Sequence, residues 1–226
     1  MKKYDNKIID TLARKATLKA KVYENTLSVF KDLKQIAEEI ALETMTAINK
    51  KNIKVEYRDK GEFEAELRMA ADLLFMTMHT NVFEFPRTHE VMKTSYVQED
   101  EKRSYCGIIQ FYNFLSDSIK YNRINDSGYL IARLFVNNEK HFFVEGKREV
   151  GYYYNFFSKG VLDKPKLKDI LESTLLYCIN FDLLTPPYEL VKETTVQDII
   201  DNNNYLKIKT GKRLGFRFQA DSDEKK

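Results

Sequence analysis

The feature that most constrains this fold is a long N-terminal stretch without glycine or proline. Residues 5–49 lack both, and their apolar positions recur mostly at intervals of three and four. That spacing places one apolar stripe along a helix. The stripe comprises Ile9, Leu12, Ala16, Ala20, Tyr23, Leu27, Phe30, Leu33, Ala37, Ile40, Met45 and Ile48. An unbroken helix over this stretch is about 66 Å long, which exceeds the width of a domain of this size.

Such a helix cannot bury its whole stripe within its own chain, so two arrangements are open. The helix breaks near residues 19–21 and folds back as a hairpin, or it pairs with a second copy of the chain as a coiled coil. The imperfect heptads favour neither arrangement. We therefore assign residues 1–51 as a long helix or helical hairpin, and we expect a homodimer through residues 9–48.

The hydrophobic period changes after residue 51 from helical to alternating. The strand-like segments, rich in β-branched and aromatic residues, are 52–59, 61–69, 73–86, 90–97, 106–115, 128–136 and 141–146. The breaks between them are short and turn-like, which indicates hairpins and a mostly antiparallel sheet. The helical period returns over residues 164–179, where Lys164-Pro165 is typical of a helix start.

These patterns predict an α+β fold with a long N-terminal helix, a central antiparallel sheet of five to seven strands, and C-terminal helices packed on the sheet. Residues 52–220 form its α+β domain, with a short helix over 195–202 and a last edge strand over 207–218. Residues 221–226 are a frayed tail. The plan, in which a helix enters an antiparallel sheet, resembles sensor modules of the PAS or GAF kind by analogy of fold.

The composition excludes several classes of protein. With 43% hydrophobic and 31% charged residues over 226 positions, the chain is too apolar for wholesale disorder. A net charge of +3 is too small for the basic field of a nucleic-acid-binding protein, so nucleic acid is disfavoured as a partner. No stretch approaches the roughly 20 apolar residues needed to cross a bilayer, so no membrane partner is expected.

The two cysteines, Cys106 and Cys178, stand between apolar and aromatic neighbours. Such cysteines are typically buried free thiols, which persist in a reducing compartment, although a single disulfide between them stays open. No apolar run follows the basic start MKK, so no signal peptide is expected. These observations favour a cytoplasmic protein.

One segment, HFFVEGKR, carries a catalytic signal. Glu145 and Lys147 end a strand as in many metal-dependent nucleases, and Asp126 lies upstream. Such a site needs both carboxylates on one metal ion. Antiparallel pairing instead places Glu145 opposite Ala132 or, with a turn one residue longer, opposite Arg133. A metal-dependent nuclease is therefore an alternative hypothesis only, and no cofactor or metal is expected.

A binding function uses the same strands better. An antiparallel sheet that is covered by a core on one face can offer its other face as a pocket floor or a partner surface. The polar residues that are candidates to converge on such a face are His79, Asn81, Lys93, Arg133 and Glu145. They either bind a small anion or a protein partner, or they satisfy one another as an internal network.

The leading hypothesis is a non-catalytic intracellular module that binds a ligand or regulates a partner through one face of its sheet. A structural protein–protein interaction subunit is the remaining alternative. Arg133 distinguishes the two interpretations of the face, because a mid-strand guanidinium needs an acceptor. In the longer-turn register that acceptor is Glu145.

Overall fold

A computed structural model describes residues 3–48, 50, 52–147, 150–151, 157, 160–183, 185 and 187–197, with side chains from residue 6 of the first helix. The predicted edge strand over 207–218 and the predicted tail over 221–226 lie outside the described residues. So does most of the predicted helix over 195–202. The architecture below is that of the described part of the chain.

The first element is one unbroken α-helix, α1, which spans Lys3–Ile48 and contains 46 residues. Of the two predicted arrangements, the helical hairpin with a break at residues 19–21 is wrong. The physical reason is local, because lysine and alanine are both good helix formers and nothing in this segment interrupts the backbone hydrogen bonds.

Seven strands follow and form one antiparallel sheet, which confirms the predicted α+β class. They are β1 (Val55–Asp59), β2 (Glu64–Met69), β3 (Asp72–Met78), β4 (Phe83–Glu84), β5 (Tyr105–Leu115), β6 (Tyr129–Asn137) and β7 (Phe142–Gly146). The order is β1-β2-β3-β5-β6-β7, and the short β4 pairs with the start of β5. Each long strand pairs with the next long strand along the chain. Short turns join β1 to β2, β2 to β3 and β6 to β7, whereas residues 79–104, which include β4, join β3 to β5 and residues 116–128 join β5 to β6.

The described helices after the first are α2 (Ser95–Glu99), α3 (Ser116–Lys120), α4 (Lys164–Ile179) and α5 (Tyr188–Val191). The sequence correctly predicts α4, whose Asp163 side chain accepts a hydrogen bond from the Lys166 amide at the N-cap. None of the described helices is both long and apolar enough to cross a membrane.

Two strand predictions need correction. The predicted strand over 90–97 is wrong, because a 3₁₀ turn, Glu90–Lys93, and α2 occupy this segment. The His89 side chain accepts a hydrogen bond from the Val91 amide and caps the turn, a local alternative to strand pairing. The predicted strand over 73–86 is divided into β3 and β4, and residues 79–82 leave the sheet between them.

The second half of α1 packs on one face of the sheet, the inner face. Among its core-facing side chains, Phe30, Leu33 and Ala37 are 0% exposed. The helix packs closely on β5 at Gly107, where an added Cβ atom would lie 2.1 Å from Thr26 Oγ1. The first half of α1 differs, because every side chain from residue 6 to residue 21 is exposed except the half-buried Leu18.

The opposite face of the sheet, the outer face, is covered at one end by the segment 85–104 and by Phe157. The residues of this second core are Phe85, Val91, Val97, Cys106, Phe135, Phe143 and Phe157. Cys106 and Cys178 are free and buried, as the sequence predicts, and burial raises the pKa of both thiols, to about 12 for Cys178.

Candidate functional site

The predicted polar face is the outer face of the sheet, and its centre is an ion pair. Arg133 of β6 stands directly opposite Glu145 of β7, which is the longer-turn register. Arg133 Nε donates to Glu145 Oε2 at 2.8 Å, and Nη2 donates to the same oxygen. The arginine therefore has an acceptor within the chain, the arrangement expected of an internal network.

A third residue, His89, completes this centre. Its Nε2 lies 3.3 Å from Glu145 Oε1, and its Nδ1 accepts a hydrogen bond from the Val91 amide. In the neutral ring, acceptance at Nδ1 leaves the proton on Nε2, which can then donate to the carboxylate. His89 was not among the predicted site residues. The sequence predicted a strand over 90–97, and a strand there gives no reason to expect His89 to cap a turn.

The other predicted site residues have different neighbours. The ring of His79 packs edge-on against Phe83, and its Nδ1 accepts from the Asn81 amide at 3.0 Å. Lys93 is in the 3₁₀ turn, where its Nζ donates to Glu90 at 2.7 Å. The structure thus brings together Arg133 and Glu145, and it places His79, Asn81 and Lys93 in loops or turns around the sheet.

The residues of the nuclease alternative are also separated by their contacts. The Asp126 carboxylate accepts from Ser118 Oγ at 2.6 Å and lies 3.8 Å from Arg123 Nη1, whereas Glu145 is bound to Arg133. Lys147 is exposed at the end of β7. Within the described ranges, no three histidine, cysteine, aspartate or glutamate side chains are grouped so that they could hold a metal ion.

A polar network fastens the covering segment to the sheet beside this site. Glu139 accepts from Tyr96 Oη at 2.7 Å and from Arg103 Nε at 3.1 Å. Burial raises the pKa of the Tyr96 hydroxyl well above its ordinary value. Burial acts to raise the pKa of Glu139 too, but the hydrogen bonds from Tyr96 and Arg103 outweigh it and the pKa is lowered. These groups have their partners within the chain, which indicates a structural role.

No protein-family model, curated protein or solved structure matches this chain. The fold itself defines the class of the protein, which is α+β with a long helix on the inner face of the sheet and a partly covered outer face. Function has to be argued from the surfaces themselves.

We expect Arg133→Met to lower the free energy of unfolding by no more than about 1 kcal/mol, as for an exposed ion pair. The Arg133 and Glu145 side chains are 39% and 30% exposed, so water and His89 can solvate the carboxylate that remains. Urea unfolding of Arg133→Met, Glu145→Gln and the double variant measures the pair. Arg58→Met is the matched control, since its pair with Glu56 is also exposed. A loss of about 3–5 kcal/mol would show that the carboxylate behaves as buried.

Proposed function

We propose that this chain is a non-catalytic interaction module that works as a dimer, with two copies of α1 packed antiparallel. The observation that carries the proposal is the solvent exposure of large apolar side chains at both ends of this helix. Ile9 and Leu12 are 59% and 66% exposed, and Leu42 and Met45 are 61% and 52% exposed. A helix that exposes apolar side chains over its first half gains stability from a partner.

One side of α1, which is exposed toward both ends of the helix and half-buried near its middle, carries a stripe that is symmetric about its centre. We call this set of positions the symmetric stripe. Its positions follow steps of three and four residues: Ile9, Leu12, Ala16, Ala20, Tyr23, Leu27, Lys31, Lys34, Glu38, Leu42 and Met45. With Leu27 of both copies on a two-fold axis, Ile9 of one copy faces Met45 of the other, and Leu12 faces Leu42. An isologous interface requires such a self-complementary pattern.

The charges favour the antiparallel direction. Residues 6–21 hold five cations and one carboxylate, whereas residues 38–48 hold three glutamates and no cation. An antiparallel pair places the basic half of each helix on the acidic half of the other, so that Lys15 faces Glu39 of the second copy. A parallel pair would place two basic halves together, and like charges in register are destabilising.

The second half of α1 also has contacts within its own chain. Lys164 and Lys168 of α4 form ion pairs with Asp32 and Glu43 on one side of the helix. Near the middle of the symmetric stripe, Lys34 pairs with Asp59 of β1 at 2.7 Å, and Leu27 packs against the core of its own chain. A second helix therefore gains most of its new apolar contact at the two exposed ends of the stripe.

We expect a dimer in light scattering, with Leu12→Asp and Leu42→Asp each raising the dissociation constant roughly 100-fold or more, equal to about 2.7 kcal/mol. Each substitution places two carboxylates in the interface, one per copy, where they lose water. Leu176→Asp is the matched control, because Leu176 is 59% exposed on α4 and lies away from the stripe. A wild-type chain that stays monomeric at high concentration would refute the dimer.

Cysteine crosslinking separates the two directions of packing. In the antiparallel dimer, Ile9→Cys mixed with Met45→Cys forms an intermolecular disulfide, while Ile9→Cys alone does not. Both native thiols are buried, so they compete little with the introduced ones. A rapid disulfide in Ile9→Cys alone would show a parallel pair and contradict the proposed arrangement.

A further inference from the structure

A basic cleft lies at the end of the sheet where β2 turns into β3, remote from the segment that covers the outer face. It has a volume of about 590 Å³, within the range typical of small-molecule sites. Its lining contains four cations, Lys54, Arg68, Lys120 and Arg123, and one carboxylate, Asp117, so the lining has an excess of positive charge.

Three of the four cations have no carboxylate partner among the described residues. Two acids near the cleft have other partners: Glu56 lies 2.9 Å from Arg58, and Glu66 lies 3.5 Å from Lys60. Lys54, Arg68 and Lys120 take part in none of the ion pairs of the described chain. Arg68 Nε donates to the Ala70 carbonyl and Lys120 Nζ donates to Tyr121 Oη, and both acceptors are neutral.

The positive charges of Arg68 and Lys54 both act on the carboxylate of Glu56. The hydrogen bond from Arg58 lowers the pKa of Glu56, and the charges of Arg68 and Lys54 lower it further. Arg68 and Lys120 also line a second cavity of about 300 Å³ on the outer face. Arg68 and Lys120 therefore lie between two adjoining cavities, and an anion bound there can contact both side chains.

We propose that this basic cleft binds a small organic molecule that carries a phosphate monoester. A phosphate dianion is the ligand charge that offsets the excess of cations, and a guanidinium fork with an ammonium group is a common phosphate-binding set. Ala71, Leu115 and Leu183 supply apolar surface for the organic part of the molecule. The Asp117 carboxylate also lines the cleft and can accept a hydrogen bond from a ligand hydroxyl.

The cleft is independent of the dimer proposed above. Its residues come from the segment before β1, from β2 and the turn after it, from the end of β5, from α3, and from the residues that follow α3 and α4, whereas the symmetric stripe is on α1. Loss of dimerisation in Leu12→Asp leaves the lining residues unchanged, so failure of either proposal can be recognised separately.

The test is a calorimetric titration of the full chain with phenyl phosphate, inorganic phosphate and phenol at constant ionic strength. We expect phenyl phosphate to bind, inorganic phosphate to bind at least threefold more weakly, and phenol not to bind. Lys120→Gln and Arg68→Gln should each weaken phenyl phosphate binding roughly tenfold, which is the loss of one charge-assisted contact. Lys102→Gln is the control, since Lys102 is an exposed lysine on the covering segment.

Two results would overturn the proposal. One is the absence of a binding signal with phenyl phosphate at roughly 10 mM, which is about tenfold above a weak dissociation constant of about 1 mM. The other is equal weakening by Lys102→Gln and Lys120→Gln, which would mark nonspecific attraction to surface charge. Lys54→Gln and Lys120→Gln alter exposed side chains, so the test stands even if Arg68→Gln disturbs folding.

Discussion

Gly107→Ala is expected to lower the free energy of unfolding by about 3 kcal/mol, the upper range for an overpacked core. The added Cβ atom would lie 2.1 Å from Thr26 Oγ1 and 2.7 Å from Thr26 Cβ. Thr26 is 0% exposed and its hydroxyl donates to the Val22 carbonyl, so the side chain cannot swing into solvent. The helix must then separate from β5, which opens the core. Chemical denaturation of the variant and the wild type measures the loss.

A second substitution tests this cause directly. Thr26→Gly removes the clashing atoms, at a cost of about 1 kcal/mol for glycine in a helix. In that background Gly107→Ala should cost less than about 1 kcal/mol, so the two changes are strongly non-additive. Additive losses would mean that glycine at this position matters for a reason other than close helix packing.

Phe30→Ala is expected to lower the free energy of unfolding by about 3–5 kcal/mol, because it leaves a cavity under the helix. Phe30 is 0% exposed and belongs to the main core with Leu33 and Phe111. Leu12→Ala, on the same helix, should change the stability of the monomer by less than about 0.5 kcal/mol, since Leu12 is 66% exposed. Both are measured at a concentration at which the chain is monomeric.

This pair of variants distinguishes the two halves of α1. Sequence periodicity places Phe30 and Leu12 in one stripe and makes both candidates for a dimer seam. Burial separates them, and Phe30→Asp would unfold the domain rather than dissociate a dimer. A stable Phe30→Ala variant would contradict the packing of the helix on the sheet.

Local patterns in the sequence determined several elements. The absence of glycine and proline over residues 5–49, together with apolar spacings of three and four, was enough to predict helix there, since backbone geometry and propensity act within a few residues. It left open whether the helix is continuous or broken into a hairpin. The β-branched and aromatic content of 128–136 and 141–146 predicted β6 and β7, and counting across their turn reduced the possible partners of Glu145 to two residues. The buried cysteines also followed from their apolar neighbours.

Tertiary structure decided what local patterns leave open. The segment 90–97 has the composition of a strand, but β4 takes the neighbouring position beside β5 and His89 caps a 3₁₀ turn instead. Periodicity also cannot tell which part of a long apolar stripe meets the sheet, because the same spacing serves a core or a partner.

The candidate sites depend on tertiary structure most of all. Lys54, Arg68, Lys120 and Arg123 are spread along the chain and follow no spacing that marks a ligand site. The pairing of β1 with β2 places Lys54 and Arg68 at the same end of the sheet, where Lys120 of α3 and Arg123 just after it line the same cleft. In the same way, the register of β6 and β7 places Glu145 opposite Arg133 as its acceptor. The fold of the covering segment then brings His89 to the same carboxylate. Charges gather at a site through contacts between distant segments, and those contacts exist only once the sheet has formed.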